Sequence, residues 1–464
     1  MHPVAHIVHT RKSRRTASQK RPESWAGLTC STLISLFVVL LTLSLALVYI
    51  DLTRDLPSLQ TLPALLEPPN GLLLQPTRIY DRSGQRLLLE LENPAVEKRE
   101  YIALSTDGIT GDLPTTVSSD PDSAERTFSP FMVQATIAAA DPTFWRNPGF
   151  SLQGLREGEH PTIAQRLVSE LVLWDEPAGL RRNLRERLLA AQLVAAYGRE
   201  KVLEWYLNSA RYGEYLFGAE AASRAYLGKP SSQLSLAEAA LLAAVSESPS
   251  LNPFDTPQIA LDRQKNVLDA MLFQGLISQD DAGKASLVEL NLRQAEEQIS
   301  NPAPVFTNLV LEQLDARIDF ARVERGGFII LTTLDGNLQA QAMCASALQL
   351  ERLQTGRTNT AIDAGCEAAR LLPTIPFEQL PENDGRLAAN IVVMDPKTGQ
   401  LLALAGENTP GLDPAHLPGH PPGSLLTPFI QVIAYTRGLS PASLAWDIPS
   451  SLPAGLEASL TSGE

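Results

Sequence analysis

The sequence predicts a membrane-anchored, multidomain chain: one N-terminal spanning helix, a mainly α-helical module, then a region mixing strands with helices. Three observations carry that prediction. Residues 28–50 form an uncharged apolar run, helix-period apolar spacing dominates from about 128 to 290, and from 326 onward β-branched runs bounded by glycine and turn residues take over. The 464 residues suffice for about three domains at roughly 150 residues each. An apolar content of 44% is enough to bury cores.

The first element is the apolar run LTCSTLISLFVVLLTLSLALVYI. At about 1.5 Å of rise per residue it is long enough to cross a hydrocarbon layer of about 30 Å. A cleaved signal peptide is the alternative, but its apolar region is shorter, and Asp51-Leu52-Thr53-Arg54 is not a small-residue cleavage site. Arg11, Lys12, Arg14, Arg15, Lys20 and Arg21 stand before the run against Glu23 alone. That basic flank predicts residues 1–27 in the cytoplasm and everything after Asp51 outside. With Lys+Arg 38 and Asp+Glu 52 the net charge is −14, which excludes nucleic acid as the expected partner.

Residues 51–76 hold Pro57, Pro63, Pro68 and Pro69 and predict an extended stalk. TRIYDRSGQRLLLEL (77–91) predicts two strands around Arg82-Ser83-Gly84. The polar stretch 105–125 predicts an exposed loop. In 181–207, Leu184, Leu188, Leu189, Ala191, Leu193 and Ala195 line a helix face. LSLAEAALLAAVS (234–246) predicts a buried helix, with Ser235 and Glu238 spaced as a capping box and Pro249 and Pro253 ending the run. Residues 256–290 predict two further helices, and ISNPAPV (299–305) a joint. GGFIILTTLD (326–335) predicts a strand and 337–353 a helix, before a polar insertion at 354–386. NIVVMDPKTGQLLALAG (390–406) predicts a hairpin around Pro396-Lys397-Thr398-Gly399. Cys30 sits in the span, so Cys344 and Cys366 are the only external thiols. They are expected to pair in a disulfide-permissive compartment, the alternative being two small buried apolar residues. No Cys or His cluster has metal-site spacing.

Over 197–253 the order L-x-x-Y-L-N, Y-G, G-x-x-A-A, Y-x-G-K and L-x-L-A-E-A-A-L-L-A resembles the peptidoglycan glycosyltransferase (family 51) module of class A penicillin-binding proteins. The resemblance reaches upstream through AAADPTFWRNPG (138–149) and PTIAQRL (161–167), and downstream through IVVMDPKTGQLLALAG and PPGSLLTPF. It implies a lysozyme-like, mainly α-helical glycosyltransferase module over 77–298. An α+β linker region over 299–386 and a partial α/β transpeptidase-like domain of the serine β-lactamase type over 387–464 follow. It implies a role in cell-wall biosynthesis. The implied partners are lipid-linked peptidoglycan precursor or a glycan strand, the membrane, and other cell-wall synthesis proteins. The one cofactor it implies is a divalent cation, for which nothing in the sequence forms a protein cage.

The family's reaction needs a carboxylate base near the acceptor hydroxyl and cations near the leaving pyrophosphate. The base is the Glu of an E-D-x-x-F-x-x-H-x-G pattern, which here reads Ala140-Asp141-Pro142-Thr143-Phe144 with Asn147 and Gly149. Alanine cannot accept a proton. Asp141 is expected to keep the family Asp's role in holding the site, and otherwise reads as an ordinary helix-terminus Asp; as a base it would point about 100° away on a helix and reach less far. The second motif, G-S-T-I-T-Q-Q-L-x-K-N, reads from His160 to Glu170. Thr162 and Gln165 are kept as substrate-binding candidates, Ser169 replaces the Lys, and Glu170 adds negative charge. Arg166 either compensates in part or is a solvated helix charge. The third motif, R-K-x-x-E, keeps Arg182 and Glu186 on one helix face, the latter matching the second family carboxylate; a simple surface pair is the alternative. Lys229 faces phosphates or is a solvated loop lysine. In the S-x-x-K position of the transpeptidase, Ser424 is present but Thr427 replaces the activating Lys.

The leading expectation is a family scaffold with weakened or lost catalysis that binds at the membrane. A working glycosyltransferase with a displaced base is the alternative, and a decayed product without a role is the third.

Overall fold

The computed structural model describes residues 23–69, 71–96, 98–104, 127–293, 301–355, 365–372, 389–406 and 426–443. The predicted loop at 105–125, most of the insertion at 354–386, and Ser424 lie outside the described residues. The chain divides into two compact units, Met1–Pro302 with Thr307–Gly336, and Ala303–Phe306 with Asn337–Glu464.

Unit one begins with α1 (Glu23–Thr53), in which Ser31–Thr53 is long and apolar enough to cross a membrane. The segment predicted as an extended stalk is instead folded onto the module: short turns lead to α2 (Leu62–Leu66), and Leu62, Leu66 and Leu73 are buried. Leucines between the prolines supply apolar surface that an extended stalk would leave wet, at about 25 cal/mol per Å². Arg185 fixes the segment by donating to the Asp55 carbonyl (2.5 Å), and Tyr197 donates to the Leu59 carbonyl (3.2 Å).

Strands β1 (Thr77–Tyr80) and β2 (Leu87–Leu91) pair antiparallel around the predicted turn, where Gly84 adopts φ +72°. The helices then follow in order: α3 (Pro130–Ala140), α4 (Ile163–Leu167) running into a π-helical turn (Val168–Val172), and α5 (Leu180–Ser209). The predicted helix at 181–207 is two helices joined at a kink, because Gly198 takes φ 80°, ψ 161°. The short pair β3 (Arg211–Gly213) and β4 (Leu216–Phe217) precedes α6 (Ala219–Leu227), which ends on the left-handed Gly228. In α7 (Leu236–Glu247) the capping box between Ser235 and Glu238 is formed on both sides. Helices α8 (Pro257–Phe273) and α9 (Gln279–Ser286) complete the helical core. Alanine-rich α3 and α7 pack closely in it, and Trp205, Tyr212 and Tyr226 are its largest fully buried side chains.

The predicted linker region is not one body. After α10 (Pro304–Asp315), α11 (Phe320–Arg325) and β5 (Ile329–Leu331) belong to unit one. Strand β5 pairs parallel with β1, and Thr77 donates to the Val323 carbonyl (2.6 Å). Burial of Val323 at 1% exposure is the physical reason this stretch joins the earlier sheet.

Unit two holds α12 (Gly336–Thr355), the predicted hairpin β6 (Ile391–Met394) and β7 (Leu401–Ala405), and α13 (Thr427–Thr436). Gln339 of α12 donates to the Leu404 carbonyl and accepts from its N–H, both at 2.9 Å. Its small core is Ala342, Ala403 and Ala405 with Ile391 and Val393 against it. Cys344 and Cys366 form a disulfide. Helix α13 has no buried residue.

Candidate functional site

Helix α3 stops at Ala140 because Pro142 follows: the residue before a proline leaves the helical region, and Asp141 sits at φ −154°, ψ 80°. Asp141 is therefore off the helix, not the next helical position after Ala140. It is 1% exposed. Its carboxylate accepts from the Thr143 N–H (3.2 Å) and hydroxyl (3.0 Å), from Asn147 Nδ2 at 3.0 Å to both oxygens, and from the Ile163 N–H (3.3 Å). Asp141 thus ties the end of α3 to the start of α4. Asn147 Oδ1 in turn accepts from Gly149 N–H (2.8 Å).

Thr162 caps α4 by accepting from the Gln165 N–H (3.2 Å), and its hydroxyl donates to the Gly149 carbonyl (2.8 Å). Gln165 is fully buried; its carbonyl accepts from Ser151 N–H and its amide donates to Glu186 Oε1, both at 2.8 Å. Glu186, on α5, is 0% exposed, and its Oε2 lies 2.7 Å from His160 Nδ1. Arg187 Nη1 stands 3.6 Å from Glu186 Oε1 while stapling the loop before α4 through the Ser151 and Gln153 carbonyls. A buried carboxylate persists as an anion only with such partners.

The cationic candidates are engaged in the same way. Arg166 binds Glu247 through both terminal nitrogens, donates to Tyr206 Oη (3.3 Å) and to the Ala140 carbonyl (3.4 Å). Burial pulls its pKa down, but the Glu247 and Tyr206 contacts outweigh this and hold it above the ordinary value. Burial pushes the Tyr206 hydroxyl up to about 12. Arg182 donates to Ser169 Oγ (2.8 Å) and carbonyl (3.2 Å) and to the Leu173 carbonyl (3.3 Å). It therefore pairs with Ser169, and the alternative of a simple surface pair with Glu186 does not hold. Lys229 binds Glu238 at 2.7 Å. The charge of Glu170 is taken by Arg325.

Asp141, Thr162, Gln165, Arg166, Arg182 and Glu186 are thus joined through one set of contacts, while Lys229 lies on the α6–α7 connection. Ser424 lies outside the described residues, and Thr427 is the first residue of α13. Among the described residues no group of three or more His, Cys, Asp or Glu forms a metal-holding set. The carboxylates at this site also do not fit a divalent cation, which takes six or more oxygen ligands: Asp141 is saturated by N–H and O–H donors, Glu186 Oε1 accepts from Gln165, and only Glu186 Oε2, close to His160 Nδ1, is left without a hydrogen bond. Sequence reasoning missed His160 and Glu247. His160 carried a signal, a titratable ring where the motif has glycine; Glu247 carried none, because only folding brings it to Arg166.

Several known proteins are similar to this chain. A family profile described as Transglycosylase matches residues 116–272. Penicillin-binding protein 2D of Bacillus subtilis is 26% identical over 336 residues, 68% of this chain and 44% of the relative. Penicillin-binding protein 1A of Mycolicibacterium smegmatis is 30% identical over 331 residues, 66% of this chain and 38% of the relative. A crystal structure of penicillin-binding protein 1A from Haemophilus influenzae has a TM-score of 0.30 at 18% identity, covering 71% of this chain and 37% of that one. The chain spans less than half the length of these relatives. With its helical module built around the motif positions that the profile covers, the chain carries a transglycosylase-type module and is similar to class A penicillin-binding proteins.

Proposed function

We propose that the helical module is a membrane-held scaffold that binds lipid-linked peptidoglycan precursor or glycan strand without polymerising it efficiently. On this reading the N-terminal tail is cytoplasmic and the module lies outside, where other cell-wall synthesis proteins are its partners. One observation carries the reading. The position matching the family's base is Ala140, and the nearby carboxylates of Asp141, Glu186 and Glu247 are each committed to protein partners. Losing a general base costs about 10²–10⁴ in rate. Committed arginines also leave the pyrophosphate less positive charge to meet.

The test is polymerisation of lipid-linked disaccharide precursor by the full chain in detergent, beside precursor binding. Binding without glycan product is the expected result. Glycan made by the native chain and abolished by Glu186→Gln overturns it in favour of a displaced base. Gain of product in Ala140→Glu supports a cleft still shaped for the reaction. For the second unit, the same reading expects no covalent labelling of Ser424 by fluorescent penicillin, because Thr427 supplies no amine.

A further inference from the structure

The contacts of Glu186 lead to an arrangement that glycosyl transfer does not use. His160 Nδ1 lies 2.7 Å from Glu186 Oε2, and His160 Nε2 lies 3.3 Å from Ser169 Oγ. Among the described residues neither Glu186 Oε2 nor His160 Nδ1 makes a well-aligned hydrogen bond with any partner, each other included. The ring is close but out of line with the carboxylate, a misalignment common before a ligand is bound. A carboxylate oxygen buried at 0% exposure needs a donor, so the network assigns the proton to Nδ1. Nε2 is then an acceptor, facing the Ser169 hydroxyl. Arg182 Nη2 donates to the same oxygen at 2.8 Å.

We propose that Ser169, His160 and Glu186 form a nucleophile–base–acid set that cleaves carboxylic esters with short acyl groups. The order of groups is that of a serine hydrolase relay. Ser169 sits in the π-helical turn Val168–Val172, a local widening found often at functional sites. The His160 side chain is 32% exposed and opens the site to solvent. Ser169 is only 5% exposed, which limits the acyl group to a short one. In the first step Ser169 Oγ bonds to the ester carbonyl carbon and its proton passes to His160 Nε2. The C–O bond to the alcohol then breaks, and the alkoxide leaves with that proton. Water attacks the acyl-serine through the same base, releasing the carboxylic acid and restoring Ser169. Arg182 supplies positive charge beside the developing oxyanion. Glu186 is a positioning residue: it holds the ring and stabilises the imidazolium. The charged groups around the imidazole are Glu186, Arg187 behind it, and Arg182 across Ser169. The proposal stands whether or not the module polymerises glycan.

The experiment treats the full chain in detergent with a fluorophosphonate probe and with p-nitrophenyl acetate, then maps the modified peptide by mass spectrometry. Label on Ser169 is expected, absent in Ser169→Ala and slowed about 10²-fold or more in His160→Asn. Glu186→Gln should slow labelling, since the ring loses its positioning carboxylate; Glu186→Asp should recover part of the rate. Circular dichroism melting establishes that each variant is folded, and Ser169→Ala, the smallest change, keeps the test valid if Glu186 variants unfold. A folded native chain that is not labelled, or is labelled only at another serine such as Ser424, overturns the proposal. A Glu186→Gln variant that is folded and labels at the native rate overturns the three-residue set.

Discussion

Breaking the Arg166–Glu247 pair should destabilise unit one and, from one side only, strengthen its hold on an anion. Both guanidinium terminal nitrogens reach the carboxylate, with Nη2–Oε2 at 2.8 Å, and the side chains are 22% and 21% exposed. An exposed pair contributes about 0–1 kcal/mol, and removing one partner of a fully buried pair costs about 3–5 kcal/mol. One-fifth exposure places this pair between those limits, and bidentate geometry moves it toward the upper one. We expect about 2–3 kcal/mol for Arg166→Met or Glu247→Gln. Tyr206 Oη and the Ala140 carbonyl also lose their donor in the arginine variant, so that variant should be the worse. Urea unfolding of the four members of the double-mutant cycle reads the coupling, expected at about 2 kcal/mol. A coupling below about 0.5 kcal/mol, the usual scatter for independent sites, refutes the pairing. Glu247→Gln leaves Arg166 uncompensated beside Ala140. One charge-assisted hydrogen bond to a phosphate contributes about 1.5–3 kcal/mol, or about tenfold per 1.4 kcal/mol in affinity. On the proposed reading, precursor affinity should therefore rise at least about tenfold. An unchanged or lower affinity would mean that Glu247 does not hold back this cation.

Three further outcomes follow from single contacts. Gly149→Ala should cost about 2–4 kcal/mol, because Gly149 has φ +97° and an added Cβ would meet the Ala190 carbonyl oxygen at 2.6 Å and Val194 Cγ2 at 2.8 Å; thermal melting reads it. Ser235→Ala should cost about 1 kcal/mol, since the capping box of α7 loses the donor and acceptor that hold Ser235 to Glu238; a loss below about 0.3 kcal/mol by urea unfolding contradicts that role. For Glu204, burial pushes the pKa up, but the Leu104 N–H, Lys201 and Tyr101 outweigh it and hold the carboxyl below its ordinary value. Its contribution is present above the unfolded carboxylate value and lost as pH falls through the lower folded value. Unit one should therefore lose stability below about pH 4, and Glu204→Gln should flatten that slope in acid titrations.

The sequence by itself determined the spanning run, the helices of the module, the capping box of α7, the hairpin at 390–406 and the family resemblance, because each rests on local periodicity, turn chemistry or motif order. It also located the altered positions Ala140, Ser169 and Thr427. Partnerships between distant segments were not legible, because side-chain pairing depends on packing that local spacing does not encode. The prolines at 51–76 suggested an extended chain, and burial of Leu62, Leu66 and Leu73 overrode them. Residues 326–335 read correctly as a strand, but only the tertiary structure decided that β5 completes the sheet of β1. Arg182 and Glu186 share a helix face by spacing, yet the fold turns one to Ser169 and the other to Gln165 and His160. Burial decides this: a carboxylate at zero exposure needs partners within reach, and tertiary packing determines which groups those are.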